Sequence, residues 1–281
     1  RSETRRNLRE IWKRPWNTPG LTNSVEDGKV SDQQSLGEAE AAFVRGELDL
    51  AESLAQAIVD QDQLSGGGAH LLGAIALRRR DAGSAIRWFE AAFAAGYLTP
   101  TSLNNLGEAY RQQGDLEKAF SSFQKALELD NTNPYPHFNI GLVMRAWGNA
   151  REAEHFFRTA LQVNPGMARA RLELAELYRA EGHIHESEAE YREAIELAKA
   201  VPSRPTTSML AQCHIRLASL LRECGRPQHA IDSILEAGSV GDDPRAMFEL
   251  AFSEFELAWD QQAAEHYLKA TKAMPALGIH A

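Results

Sequence analysis

The chain has 281 residues, with 30 lysines and arginines against 39 aspartates and glutamates, which gives a formal net charge of −9. This acidic balance argues against a general nucleic-acid binder, because affinity for a phosphate backbone depends on clustered basic residues. Apolar residues make up 43% and charged residues 25% of the sequence, as is typical of a globular chain. No apolar run approaches the roughly 20 residues that a membrane-spanning helix needs.

The first 31 residues differ in composition from the rest. Six of the first fourteen residues are basic and two are acidic, and Trp12 and Trp16 lie among or just after these charges. Three interpretations stay open: a basic amphipathic anchor on an acidic membrane surface, a segment that packs through both tryptophans on an acidic protein surface, and a disordered tail. Basic residues near the start disfavour export, so we expect a cytoplasmic protein, or a periplasmic one if a signal segment preceded Arg1.

From residue 32 onward the sequence repeats itself with a period of 34 residues. The stretch LNNLGEAYRQQGDLEKAFSSFQKALELD from Leu103 aligns with HFNIGLVMRAWGNAREAEHFFRTALQVN from His137, and Gly107 and Gly114 fall on Gly141 and Gly148. The phase slips by nine residues at 202–210, where proline, serine and threonine predict an insertion loop. The seven copies are residues 32–65, 66–99, 100–133, 134–167, 168–201, 211–243 and 244–277, followed by a tail at 278–281.

Each copy predicts two helices joined by a tight turn. The glycine at the turn, such as Gly114, favours a left-handed backbone conformation that ends the first helix. Arg80 and Ala258 occupy this place in the second and seventh copies. Small residues such as Gly107 and Ala119 recur where the two helices must approach closely, because a larger side chain would push them apart.

This pattern resembles the tetratricopeptide repeat (TPR) family over residues 32–277. The resemblance implies an all-α solenoid of helical hairpins wound into a right-handed superhelix, in which the first helices line a concave surface. Such a surface is expected to bind a peptide or a folded partner.

No catalytic constellation accompanies the repeats. The sequence contains no nucleophile elbow, and no Lys-Ser/Thr pair follows the glycine run at 66–68, which we expect to be a flexible turn rather than a phosphate loop. Cys213 and Cys224 are about 16 Å apart on one predicted helix, too far for a disulfide. The histidines lack zinc-ligand spacing, so we expect a chain that is not an enzyme and needs no cofactor or metal.

One position on the predicted inner face is repeatedly arginine. It is occupied in copies three to six by Arg111, Arg145, Arg179 and Arg222, and Arg78 lies one residue further on in copy two. Because guanidinium groups bind carboxylates bidentately, these residues suggest a groove for an acidic or carboxylate-bearing peptide. The alternative is that they satisfy local charges through i,i+3 pairs, Glu108 with Arg111 and Glu176 with Arg179.

Asparagines and aromatic residues give the inner face further candidate contacts. Asn105 and Asn139 occupy equivalent places, and their amides could hold a ligand backbone, which resembles the asparagine ladders of some TPR proteins. Tyr135 begins the fourth copy on or near the same face, where it would contact a partner side chain or pack on the preceding copy. Phe252 and Phe255 lie on this face of the last copy, where exposure would require a partner or a self-contact.

These features predict a non-enzymatic scaffold or adaptor whose partner is a protein or peptide, an acidic one if the arginines bind it. A nucleic-acid partner is not expected, membrane association is not favoured, and self-association through the end copies is an alternative. Two other roles stay open by family resemblance. The chain would be the substrate-recruiting region of a larger transferase-type enzyme, or an assembly factor of a bacterial envelope machine such as a pilus or secretion apparatus.

Overall fold

The computed structural model describes residues 29–62, 65–200, 204–237 and 243–273, and only the backbone of residues 29–34 and 204–208. The basic segment with Trp12 and Trp16 and the predicted tail at 278–281 lie outside the described residues. Every regular element in the described ranges is an α-helix. None of these helices is both long enough and apolar enough to cross a membrane.

The helices follow one another as pairs. In chain order they are α1 (Lys29–Arg45), α2 (Leu48–Gln61), α3 (Gly66–Arg78), α4 (Ala82–Ala94), α5 (Pro100–Gln113), α6 (Leu116–Leu129), α7 (Pro134–Ala146), α8 (Ala150–Val163), α9 (Ala168–Ala180), α10 (Ile184–Ala200), α11 (Arg204–Glu223), α12 (Pro227–Glu236), α13 (Pro244–Glu256) and α14 (Asp260–Ala273).

The chain forms two compact units that divide within α6, between Ser122 and Phe123. In unit 1, α1 packs with α2 and α3 with α4, and the first helices α1, α3 and α5 also contact one another in sequence. In unit 2, α7 packs with α8, α9 with α10, α11 with α12, and α13 with α14. The first helices α9, α11 and α13 again contact one another in sequence. The predicted helical hairpins are therefore confirmed.

The turns inside the hairpins have the left-handed conformation that the sequence predicts. Gly114 and Gly148 have φ values of 90° and 75°, and the amide of Asp115 donates back to the carbonyl of Tyr110 at 2.9 Å. Arg80 and Ala258 make the same turn without glycine, at φ values of 63° and 59°. The turn geometry is thus kept even where the residue is unfavourable.

Small residues let the paired helices approach closely. A Cβ on Gly141 in α7 would lie 2.5 Å from the ring of Phe157 in α8, which is fully buried. In unit 1, a Cβ on Gly73 would lie 2.7 Å from the ring of Phe89. Because real carbon atoms do not approach this closely, each site specifies glycine through packing.

Two of the helices that carry the candidate site, α7 and α13, begin with polar caps. The side chain of Asn133 accepts from the amide of Tyr135 at 3.0 Å at the start of α7, and Asp243 accepts from the amide of Arg245 at 2.9 Å at the start of α13. A proline, Pro134 or Pro244, follows each cap. Proline fits there because the first helical N–H has no intrahelical acceptor.

The predicted insertion loop at 202–210 is wrong for most of its length, because α11 begins at Arg204. Pro205 falls in the first turn, where a missing N–H is tolerated. Met209 and Leu210 then pack against the core of unit 2, next to the fully buried Cys213. The apolar contacts of these residues outweigh the loop-like composition before them.

The glycine run at 66–68 also differs from its prediction. It forms the first turn of α3, where the hydroxyl of Ser65 accepts from the amide of Gly68. A Cβ on Gly66 would lie 2.4 Å from the Cβ of Tyr97. The run therefore allows close packing rather than flexibility.

Candidate functional site

The first helices of unit 2 present a stripe of side chains that the hairpin cores do not use. In α9 this stripe holds Glu173, Glu176 and Arg179, all half-buried and spaced three residues apart. These positions and their equivalents in α7, α11 and α13 are called here the first-helix face of unit 2. Spacing of three residues keeps side chains on one side of a helix.

Each arginine predicted on this face bridges to the next hairpin. Arg145 on α7 forms an ion pair with Glu173 on α9. Arg179 on α9 pairs with Glu223 on α11 and donates to the hydroxyl of Ser219 at 3.0 Å.

Arg222 continues the series on α11. Its Nε donates to Glu249 on α13 at 3.1 Å, and another of its nitrogens lies 3.6 Å from Glu256. Arg145, Arg179 and Arg222 thus connect successive first helices of unit 2, from α7 to α13.

One of the two predicted local pairs forms and the other does not. Arg111 donates to both oxygens of Glu108 at 2.7 Å, as expected. Glu176 instead accepts from the hydroxyl of Tyr191 and pairs with Arg216 at 2.9 Å. Burial, and then the contact with Glu176, raises the pKa of Tyr191, so this phenol stays protonated as the donor.

These pairs change the electrostatic character of the face. The arginines Arg145, Arg179 and Arg222 each lie against a carboxylate of the following hairpin. The first-helix face of unit 2 therefore carries mixed charge rather than a basic track. The arginines of this face therefore have carboxylate partners, but across hairpins rather than through the predicted i,i+3 pairs. Their contact with a binding partner stays a prediction.

The residues predicted for this face did not include the carboxylates that complete these pairs. Glu173 and Glu249 occupy the same repeat position as Asn105 and Asn139, two copies apart. When each copy is compared with the next copy, rather than each helix with itself, Glu173 and Glu249 pair with the arginine of the preceding copy.

In unit 1 the candidate residues have separate surroundings. The guanidinium of Arg78 donates to the carbonyl of Phe43 at 2.7 Å and lies 4.9 Å from the centre of the Phe43 ring. Asn105 is half-buried on α5. Arg78 thus joins two hairpins of unit 1 through a backbone contact rather than an ion pair.

The remaining candidates in unit 2 differ in exposure. Asn139 is only 8% exposed, which leaves little of its amide accessible to a partner. Tyr135 is 56% exposed, whereas Phe138 is buried against Phe157, with 5.7 Å between ring centres. Tyr135 is therefore the aromatic of this pair that a partner can reach.

The described residues contain no group of three or more histidine, cysteine, aspartate or glutamate side chains arranged to hold a metal ion. Both cysteines are free thiols: Cys213 is buried and Cys224 exposed. Burial raises the pKa of Cys213 to about 11, which keeps it an unreactive thiol.

Family models match the middle of the chain. A TPR repeat model matches residues 107–146, and a tetratricopeptide repeat model matches residues 144–204. A search of curated proteins finds no match.

Solved structures share the fold at low sequence identity. The chain is similar to one in the Cut9–Hcn1 hetero-tetramer of the APC/C, with a TM-score of 0.72 and 15% identity, over 85% of this chain and 45% of that one. This chain therefore spans less than half of that protein. A tetratricopeptide repeat protein from Parabacteroides merdae gives a TM-score of 0.61 and 21% identity, covering 87% of this chain and 93% of that one.

PilF of Pseudomonas aeruginosa gives a TM-score of 0.57 and 16% identity, covering 89% of this chain and 95% of that one. The two matching repeat models show tetratricopeptide repeats within residues 107–204, and these neighbours show that the helical hairpins of the described residues have the TPR fold.

Proposed function

We propose that this chain is a non-enzymatic scaffold that holds a partner peptide or protein on the first-helix face of unit 2. The observation that carries the proposal is the composition of that face. Its charged side chains contact one another across successive hairpins, and exposed aromatic residues stand at both ends, Tyr135 on α7 and Phe255 on α13.

The exposed aromatic residues supply anchor points. Tyr135 is 56% and Phe255 is 68% exposed, and burying such rings against a partner removes apolar surface from water. Aromatic side chains are over-represented among the residues that dominate binding energy at protein interfaces. A partner segment that spans the face would be held by its side chains at these two ends.

The ion pairs between the ends would give specificity more than affinity. An acidic partner must replace Glu173 or Glu223 as the carboxylate that faces an arginine, so it exchanges a contact rather than adding one. Pairs this exposed contribute about 1 kcal/mol or less. The order of charges along the face would then select among partners.

A charge-swap variant tests the proposal without removing the ion pairs. Replacing Arg145 with Glu and Glu173 with Arg, together with Arg179→Glu and Glu223→Arg, keeps opposite charges facing each other across the hairpins. The order of charge that a partner meets is reversed. Affinity purification of the full chain from native lysate, read by mass spectrometry, should recover a partner with the wild type and lose it with the swap.

The matched control swaps the exposed pair Glu265 and Lys269 on the second helix α14, which are 2.7 Å apart. This control should retain the partner, and circular dichroism should give the same helicity for all three proteins. Recovery of the same partners by the wild type and the first-helix swap would remove the first-helix face as the binding site.

A further inference from the structure

The first-helix face of unit 2 changes character at its last hairpin. Phe255 stands at the repeat position that Arg145, Arg179 and Arg222 hold in the preceding copies. Phe255 is 68% and Phe252 is 46% exposed, and Trp259, at the start of the next helix, is 41% exposed. Phe252, Phe255 and Trp259 are called here the aromatic patch.

The aromatic patch rests on a packed base. Phe252 stacks on Phe248 with 6.3 Å between ring centres, and Tyr267 from α14 meets Phe248 edge-on at 5.5 Å. The guanidinium of Arg222 lies 5.5 Å from the centre of the Phe252 ring. These contacts hold Phe252 in place, so little side-chain entropy would be lost when a partner covers it.

Carboxylates surround the patch. Arg222 faces both Glu249 and Glu256, so one guanidinium is set against two carboxylates, and the side chain of Glu256 stays 39% exposed. Asp260 and Trp259 line a shallow depression at the turn between α13 and α14. The surface around the exposed rings therefore carries an excess of negative charge.

We propose, resting on the proposed scaffold function, that the aromatic patch binds a partner segment in which a bulky apolar side chain is flanked by lysine or arginine. The apolar side chain covers Phe252 and Phe255 and removes them from water. The neighbouring cation pairs with Glu256 or lies on the face of Trp259. The negative charge around the patch favours a positively charged partner segment.

The same charges disfavour other occupants. A second copy docking through the same patch in a two-fold contact would place Glu256 and Asp260 near their own equivalents. An anionic membrane would meet these carboxylates with its own negative headgroups. A basic peptide segment is the occupant that gains from both the apolar and the charged parts of the surface.

Peptide selection tests the proposal on the full chain. A phage-displayed library of random 12-residue peptides is selected against the wild-type protein, and enriched peptides are synthesised with a fluorescent label for anisotropy titrations. We expect enrichment of tryptophan, phenylalanine or leucine beside lysine or arginine. The double variant Phe252→Ala, Phe255→Ala should weaken binding about 10-fold or more, and Glu256→Gln should weaken it about threefold with a flatter salt dependence.

The control variant removes exposed apolar surface elsewhere in the hairpins α11–α12 and α13–α14. Leu235 and Leu268 on the second helices are 65% and 57% exposed, and replacing both with alanine should leave peptide affinity unchanged.

Several results would overturn the inference. These are enrichment of acidic peptides, equal affinity of the Phe252→Ala, Phe255→Ala variant, dimerisation that this variant abolishes in light scattering, and binding to vesicles of anionic phospholipid. Peptides that lose affinity in the charge-swap variant but not in the phenylalanine variant would overturn this inference while supporting the scaffold function. Peptides that bind all these variants equally would contradict both.

Discussion

Two turn residues adopt a backbone conformation that their side chains disfavour. Ala258 and Arg80 have φ values of 59° and 63°, where the other turns have glycine. A left-handed conformation costs a residue with a Cβ about 1–2 kcal/mol, partly offset by the greater freedom of glycine in the unfolded chain. Ala258→Gly should therefore raise the free energy of unfolding by about 0.5–1 kcal/mol, as measured by urea denaturation.

The reverse substitution provides the control. Gly148 has a φ value of 75°, with no atom within 4 Å of an added Cβ, so Gly148→Ala tests backbone strain alone. It should lower the free energy of unfolding by about 1 kcal/mol. A destabilised Ala258→Gly variant would show that Ala258 contributes something other than turn geometry.

We expect His214 to make the free energy of unfolding depend on pH. It is 1% exposed in α11, its Nδ1 lies 3.2 Å from the hydroxyl of Ser233, and its Nε2 has no partner among the described residues. Burial is the main cause that lowers the pKa of His214, and Lys199 lowers it further, against smaller opposing effects of Glu236, Ser233 and Glu196. The folded protein therefore keeps this ring neutral at a pH where the unfolded chain protonates it.

The sign of the pH effect follows from this difference. Above the unfolded histidine pKa of about 6.5 both states are neutral, and stability is fully present. As the pH falls below that value, the unfolded state binds a proton that the folded state does not, so the free energy of unfolding decreases. Urea denaturation at pH 7.5 and pH 5 should show a smaller decrease for His214→Gln than for the wild type, whereas the exposed control His229→Gln should retain the wild-type decrease. Equal decreases in all three proteins would contradict this account.

At the scale of the helical element, the contact between α7 and α8 depends on the absence of a side chain at Gly141. A methyl group there would lie 2.5 Å from the buried ring of Phe157, so Gly141→Ala should lower the free energy of unfolding by about 1–3 kcal/mol. Gly37 in α1 has no atom within 4 Å of an added Cβ. Gly37→Ala should raise stability by about 0.5–1 kcal/mol through helix propensity alone. Thermal denaturation of both variants measures these changes. An unchanged melting temperature for Gly141→Ala would contradict the packing argument.

The ion pair between Arg222 and Glu249 joins α11 to α13. Both side chains are about one-quarter exposed or less, at 24% and 18%, so a double-mutant cycle with Arg222→Gln and Glu249→Gln should give a coupling free energy of about 0.5–1 kcal/mol. The coupling should shrink in 1 M salt. The pair Glu265 and Lys269 within α14 is more exposed, at 65% and 52%, and should couple less. A zero value for Arg222 and Glu249 would show that the contact between these helices is purely apolar.

The helical hairpins were predictable because the residues that specify them act on neighbouring parts of the chain. Gly114 at a turn and Gly141 at a helix contact specify short-range geometry that recurs in every copy. The pairing of Arg179 with Glu223 was not predictable in the same way, since the partners are 44 residues apart and Glu176 was available as a local alternative. The extension of α11 back to Arg204 was missed because apolar packing of Met209 and Leu210 outweighed the loop-like composition.

At the scale of the whole molecule, repetition explains why the sequence indicates the fold so clearly and the partner so poorly. Each copy must keep its small residues and turn to stack on its neighbours, whereas the outward positions are free to differ. Tyr135, Glu173 and Phe255 are such positions, and their meaning depends on the partner. The narrower roles stay predictions: the length of the complete reading frame tests a transferase-type fusion, and a lipoprotein signal ahead of Arg1 would favour an envelope assembly factor.

Site-specific photocrosslinking distinguishes partner binding on the first helices of unit 2, as proposed, from binding elsewhere on the chain. A photoreactive residue is placed at Ala146 or Ala180, exposed residues next to Arg145 and Arg179, and in matched controls at Gln162 or Ala189, exposed on the second helices. The same partner should be crosslinked in lysate from both first-helix positions and from neither control. Crosslinks of equal yield from the second helices, or none from Ala146 and Ala180, would contradict binding on the first helices.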